Sequence, residues 1–272
     1  MFNQPIDTGS WPASLRELTL GFSFNQPIST VSWPPTLQRS VFGCSFYQPI
    51  DGVRWPASLQ QLIFGNDFNQ PKPIDNVTFP ASLRNLTFGR GFNHPISEVF
   101  WPPSLRHLVF GEIFDQPIDG VSWPFSLETL VLRGPAQRDL FPTSTVTLPI
   151  GFNPRICGVA FPASLQELSF SDNFTGPING VLWPTSLRHL VFGNTFDQRI
   201  DDVSWPASLE TIVFGTPGQH PTCEVIRPTG FNQPINGVTL PASLPSLPLA
   251  TPSTGQSTRS PGYHRYDGSH LA

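Results

Sequence analysis

The chain has 272 residues, of which 38% are hydrophobic, so it has enough apolar side chains for a folded core and is not disordered throughout. Only 12% of the residues are charged, and 32 prolines with 22 glycines exclude long helices. The net charge of −4, with no membrane-length apolar run and no leader at the N-terminus, leads us to expect a cytoplasmic protein that binds neither nucleic acid nor membranes.

A repeat of 22 residues runs along most of the chain. Its clearest mark is an aromatic residue or a leucine followed by proline. In the register of the repeat this pair occurs ten times, beginning at Trp11, Trp33, Trp55, Phe79, Trp101, Trp123, Phe161, Trp183, Trp205 and Leu240. A fixed period between 20 and 50 residues is typical of a solenoid or an array. We call the residues at one place in successive repeats a column.

The first repeat shows the predicted elements in chain order. Residues 14–21 are predicted to contain a short strand, because Leu18 and Leu20 alternate with polar residues and a glycine ends the pattern. Residues 28–34 are a second extended candidate, since prolines at both sides forbid a helix. An Asp-Gly pair such as Asp51-Gly52 supplies the turn in the later repeats. Each repeat is therefore predicted to form one coil.

A single coil is too small to be stable alone. It offers six core side chains: Ile50, Val53, Leu59, Leu62, Phe64 and Phe68. Each contributes about 1.5 to 3 kcal/mol when fully buried, whereas ordering each of the residues in a coil costs about 1 to 2 kcal/mol. We therefore predict that the coils stack on each other and that their strands form a parallel sheet with a spacing of about 4.8 Å.

The segments Phe-Asn-Gln-Pro at residues 24–27, 68–71 and 231–234 resemble the FNIP repeat, a leucine-rich-repeat-like unit of about this length. The resemblance covers roughly residues 2–249. It implies a mainly β fold, a right-handed leucine-rich-repeat-like solenoid of about ten coils with one parallel strand in each. It also implies a role in protein contacts, sometimes beside F-box or kinase modules, and no catalytic residues.

Two insertions and a tail depart from the repeat. We expect residues 1–249 to form one solenoid, with the insertions near residues 134–149 and 216–229 leaving it as loops. Functional loops, neutral insertions and retained non-coding sequence are all open explanations of these segments. Residues 250–272 have low complexity and are predicted to be disordered.

Several polar columns are explained by structure rather than by chemistry. An asparagine column and a serine column recur in nearly every coil, as expected of groups that satisfy backbone atoms. His107 and His189 share a column but lie three coils apart, about 14 Å, so they do not share a metal. The aspartate column is interrupted, which argues against calcium. We therefore predict no metal, no cofactor and no enzymatic activity.

Two outward columns of the predicted sheet indicate a binding face. One is rich in β-branched residues and the other is polar and varied, and an apolar strip with a polar margin is typical of an interface. β-Propensity on a solvated sheet explains the apolar column equally well. The predicted partner-binding residues are Val41, Ile63, His107, Val109, Thr129, Val131, His189, Val191, Thr211 and Val213. We expect the ligand to be a protein, or a second copy of this chain.

Two alternative functions stay open. One is a structural or surface-exposed repeat protein that binds carbohydrate and is glycosylated at the sequons of Asn76, Asn85 and Asn173. The other is a solenoid enzyme acting on polysaccharide, which needs two carboxylates a few ångströms apart. No column supplies a matched pair of carboxylates, so we prefer the protein-interaction scaffold.

Overall fold

Each described repeat folds into one coil that carries one short strand. The structure is a computed structural model that describes residues 2–7, 10–132, 156–171, 174–193, 195–214, 231–234 and 237–244. These ranges contain nine strands: Glu17–Thr19 (β1), Arg39–Val41 (β2), Gln61–Ile63 (β3), Asn85–Thr87 (β4), His107–Val109 (β5), Thr129–Val131 (β6), Glu167–Ser169 (β7), His189–Phe192 (β8) and Thr211–Phe214 (β9).

The nine strands form one parallel sheet in the order of the sequence, from β1 to β9. Equivalent residues of successive repeats lie side by side, as Leu86 pairs with Leu108 and Leu108 with Leu130. The register also holds between β6 and β7, where Leu130 pairs with Leu168 although 38 residues separate them instead of 22. The predicted stacked solenoid with one parallel strand per coil is confirmed.

Three details differ from the sequence prediction. The strand predicted within residues 14–21 is shorter, because only Glu17–Thr19 pair in the ladder. The second extended candidate contains a turn at residues 29–30, in which the Val31 amide donates to the Ile28 carbonyl at 3.2 Å, and it contains no strand. Prolines at both sides of that segment have no N–H to donate to a ladder. Nine strands are described instead of about ten coils, and the strand position of the tenth repeat, residues 246–248, lies outside the described residues.

The two insertions, at residues 134–149 and 216–229, and the tail of residues 250–272 also lie outside the described residues. The predicted turns are present in the described coils. Gly52 and Gly120 both have a φ of 78°, a left-handed conformation that glycine adopts without a steric penalty. The Asp-Gly turn of the sequence prediction is therefore confirmed at these two positions.

The core lies behind the sheet and consists of columns of apolar side chains. All six core residues predicted for the third coil are buried. Two phenylalanine columns run beside each other through the core, and within one coil Phe64 and Phe68 stack with centroids 4.0 Å apart. Between coils, Phe64 stacks on Phe88 at 5.8 Å and Phe68 on Phe92 at 6.2 Å. Since aromatic pairs add about 0.5 to 1.5 kcal/mol beyond the area that they bury, each coil is stabilised by its neighbours.

A glycine column allows the coils to approach each other closely. A Cβ atom on Gly65 would lie 2.3 Å from the carbonyl oxygen of Gly43, and one on Gly89 would lie 1.9 Å from that of Gly65. Both distances are far shorter than any van der Waals contact. The glycines at the ends of β2 to β5, which are Gly43, Gly65, Gly89 and Gly111, are therefore needed for their small size, at points where two backbones touch.

Candidate interaction surface

The outward face of the sheet is formed by the first and third residues of each strand. In β5, Leu108 is fully buried, whereas His107 and Val109 on either side of it are half-buried and point away from the core. The same pattern recurs in β3, β4 and β6. Since the strands are parallel and in register, each outward position forms a straight column across the sheet.

The apolar column predicted from sequence lies on this face but presents less surface than expected. Five of its members are half-buried: Ile63, Val109, Val131, Val191 and Val213. Val41, which was predicted to contact a partner, is only 6% exposed. Val41 therefore offers almost no surface, and the accessible apolar strip begins at Ile63.

The polar column beside it is partly satisfied by contacts along the column itself. His107, Thr129 and His189 are half-buried, and Thr211 is exposed. Nδ1 of His189 lies 3.2 Å from Oγ1 of Thr211, and Oγ1 of Thr129 donates to Glu167 at 3.4 Å. Neighbouring coils thus hold the side chains of Thr129 and His189 in place on the face.

A polar cleft of about 600 Å³ lies on the same face at the end of the sheet that begins with β1, and the sequence prediction missed it. The polar column contributes Glu17, Arg39, Gln61, Asn85 and His107. The column one residue earlier contributes Gln38, Gln60, Arg84 and Arg106. We call this the basic cleft. The sequence pattern that could have indicated the cleft is this earlier column of polar and basic residues. It lies five residues after the Trp or Phe of each Trp-Pro or Phe-Pro pair.

The charges of the basic cleft are opposite in sign to those of the whole chain. Three arginines against one glutamate give it an excess of two positive charges, whereas the chain carries a net charge of −4. Arg39 Nε donates to Gln61 Oε1 at 2.9 Å, and Arg106 forms an ion pair with Glu128 beyond the cleft. Arg84 is exposed, and no side chain of the described ranges binds its guanidinium.

The other half of the face is acidic, and its carboxylates are already engaged. Glu128 bonds with Arg106, Glu210 bonds with Arg188, and Glu167 accepts from Thr129. These cross-coil ion pairs are exposed, and such pairs contribute little to stability. Along the strand face, the charge therefore changes from basic over β2–β5 to acidic over β6–β9.

The asparagine and serine columns are structural, as predicted. The side-chain oxygen of Asn93 accepts from the backbone amide of Asp115 at 2.8 Å and from Gln116 at 2.9 Å. Ser126 Oγ donates to the Leu105 carbonyl of the preceding coil at 2.7 Å. The same serine bond recurs at Ser58, Ser82, Ser164, Ser186, Ser208 and Ser243.

The other candidate groups are dispersed in the described structure. His107 and His189 lie on β5 and β8, three strands apart, as the repeat spacing predicted. In the residues that the structure describes, no three His, Cys, Asp or Glu side chains are grouped closely enough to hold a metal ion. Burial raises the pKa of the Cys44 thiol, which lowers the reactivity of this side chain. The described part of the chain also contains no helix that could span a membrane.

Known proteins share this repeat and this fold. The family described as FNIP Repeat matches residues 2–45, 72–113 and 92–134. Among solved structures, the chain is similar to CroV588, described as a novel circular leucine-rich-repeat protein structure, with 38% identity and a TM-score of 0.69. The likeness covers 89% of this chain and 34% of that one, so the chain spans about a third of the length of its solved relative. No curated protein matches the chain.

Proposed function

We propose that this chain, whose coils resemble the FNIP repeat and form a leucine-rich-repeat-like solenoid, is a non-enzymatic scaffold that binds a protein through its outward strand face. The observation that supports this most is the pairing of an apolar column and a polar column on one continuous sheet. An apolar centre with a polar margin is how protein interfaces are built.

The size of the face suits a protein ligand. Nine strands each present two outward residues, and eight intervals of about 4.8 Å give the face a length of about 38 Å. With the column that precedes the strands, this approaches the roughly 20 to 30 residues that one partner contributes to an interface of standard size. A small-molecule ligand would use only a fraction of such a surface.

The proposal is tested by two aspartates placed in the middle of the apolar strip. Val109→Asp with Val131→Asp changes two neighbouring half-buried residues whose side chains point away from the core. We expect the fold to survive and the partner to be lost, because charges without counterions at the centre of an interface are costly to bury. The measurement is capture of partners from an extract of the source cells, with circular dichroism as the check of folding.

A matched control is Phe125→Asp, which places the same charge on an apolar residue that is 77% exposed and lies outside the strands. This variant is expected to keep the partner. Retention of all partners by the folded double variant would contradict binding through the strip, and so would loss of the same partners from the control. Sedimentation of both variants shows in addition whether the face binds a second copy of the chain.

A further inference from the structure

Building on the proposed function, we propose that the basic cleft binds an acidic segment of the partner in extended conformation. The cleft lies within the outward face and is lined by residues from the first five coils. Its side chains are arginines and amides, and these groups together match carboxylates and a peptide backbone.

The charge of the ligand follows from Arg39 and Arg84, which form no ion pair among the described residues, whereas Arg106 on the same side of the sheet is already paired with Glu128. Arg39 belongs to β2, and Arg84 and Arg106 directly precede β4 and β5. Guanidinium groups bind carboxylates through two parallel hydrogen bonds, and such charge-assisted bonds are stronger than neutral ones. Glu17 is the single carboxylate in the lining; it pairs in register with Arg39 at the first two strands and lies away from Arg84. The lining therefore favours an anion over the positions of β2–β5.

The amide side chains favour a peptide over a nucleic acid. Gln38, Gln60, Gln61 and Asn85 each carry a donor and an acceptor, which match the N–H and C=O groups of an extended backbone. Binding of single-stranded nucleic acid uses aromatic side chains on which the bases stack. The lining contains no Phe, Tyr or Trp, and His107 is its only ring.

The dimensions fit a short segment. Five coils give four intervals of about 4.8 Å, or about 19 Å, which corresponds to about six residues of extended chain at about 3.3 Å each. A second copy of this protein fits less well, although the other half of its face is acidic. Glu128 and Glu210 of that half are already bonded to Arg106 and Arg188, and a sheet has no projecting segment that enters a cleft.

The test measures binding of labelled octapeptides to the full chain by fluorescence anisotropy. The probes are a peptide of alternating Glu and Thr, its Gln–Thr and Lys–Thr counterparts, and an octauridine RNA. We expect the Glu–Thr peptide alone to bind measurably, more weakly as the salt concentration rises. Arg39→Gln with Arg84→Gln is expected to weaken this binding about tenfold, because two charge-assisted contacts are removed.

The matched control is Arg188→Gln. Arg188 occupies the same column as Arg84 and Arg106 but lies over the acidic half of the face, so its loss is expected to leave peptide binding unchanged. Equal binding of the Gln–Thr peptide, or no effect of the folded double variant, would overturn the proposal. Tighter binding of octauridine would assign the cleft to nucleic acid. Self-association that is abolished by Glu167→Gln would assign it to a second copy.

The outcomes separate this proposal from the proposed function. If the aspartates at residues 109 and 131 abolish partner capture while the Glu–Thr peptide does not bind, the strand face binds a protein and the basic cleft does not recognise acids. If the peptide binds and responds to the arginine changes while partner capture survives the aspartates, the cleft is a site and the apolar strip is not.

Discussion

At the scale of single residues, Gly65 shows how closely two coils approach. A Cβ atom at this position meets backbone atoms of Gly43 and Cys44, at 2.3 to 2.7 Å. Backbone cannot rotate away as a flexible side chain does. We therefore expect Gly65→Ala to lower the free energy of unfolding by about 1 to 3 kcal/mol, as other overpacked sites do.

The first coil supplies the control for this prediction. Gly21 occupies the same column, but a Cβ atom there has nothing within 4 Å, because no described strand precedes β1. Gly21→Ala is expected to leave stability within about 0.5 kcal/mol of wild type. Denaturant unfolding of both variants measures the difference. Equal losses would show that the glycines are needed for their backbone conformation and not for the close approach.

At the scale of the coil, the serine column ties each strand segment to the one before it. Ser126→Ala removes one hydrogen bond and leaves the Leu105 carbonyl without this donor. We expect a loss of about 1 kcal/mol, the usual net contribution of a single hydrogen bond. Thermal unfolding followed by circular dichroism measures the change.

The protein itself provides the control for the serine bond. In the second coil the same place is held by Thr36, whose Oγ1 donates to the Leu15 carbonyl at 2.8 Å. Ser126→Thr is therefore expected to keep the bond and most of the stability. A threonine variant as unstable as the alanine variant would show that the site is limited by space and not by its hydroxyl.

Much of the coil could be predicted from the sequence, because a short apolar pattern that is ambiguous in one repeat recurs at the same place in the others. The alternation around Leu18 and Leu20, repeated in phase along the chain except at Ser40 of the second coil, identified the strand and its buried side. Residues 28–34 were predicted as extended chain and the turn at residues 29–30 was missed, since proline geometry does not tell an extended chain from a turn. The burial of Val41 depends on how its neighbours cover it, and no sequence pattern carries that information.

The basic cleft was missed for a similar reason. Its residues span positions 17 to 107, and their proximity appears only when five coils are placed in register. The column containing Arg84 and Arg106 is visible in the sequence. Its meaning depends on the face that it adjoins, which the strand pattern alone does not define.

At the scale of the whole molecule, stability belongs to the stack and not to any one coil. Strands pair with sequence neighbours throughout the described sheet, so each coil interacts mainly with the next. A protein of this kind has a stability that is close to a sum of coil and interface terms. It follows that a whole coil can be removed if the phase of the repeat is kept.

Deletion of residues 33–54 tests this modularity, because it joins Ser32 to Trp55 and keeps the period of 22 residues. Leu18 of β1 is then expected to pair with Leu62 of β3, and the shortened protein should unfold in one cooperative transition at a lower temperature than the full chain.

Deletion of residues 33–43 is the control. It removes half a period and moves the leucines and phenylalanines after the junction out of line with the core of the first coil, so unfolding of the adjoining coils is expected. Far-UV circular dichroism during heating compares the two proteins. If both deletions lower the thermal stability equally, the coils depend on specific neighbours. The stability of this solenoid would then not be a sum of coil and interface terms.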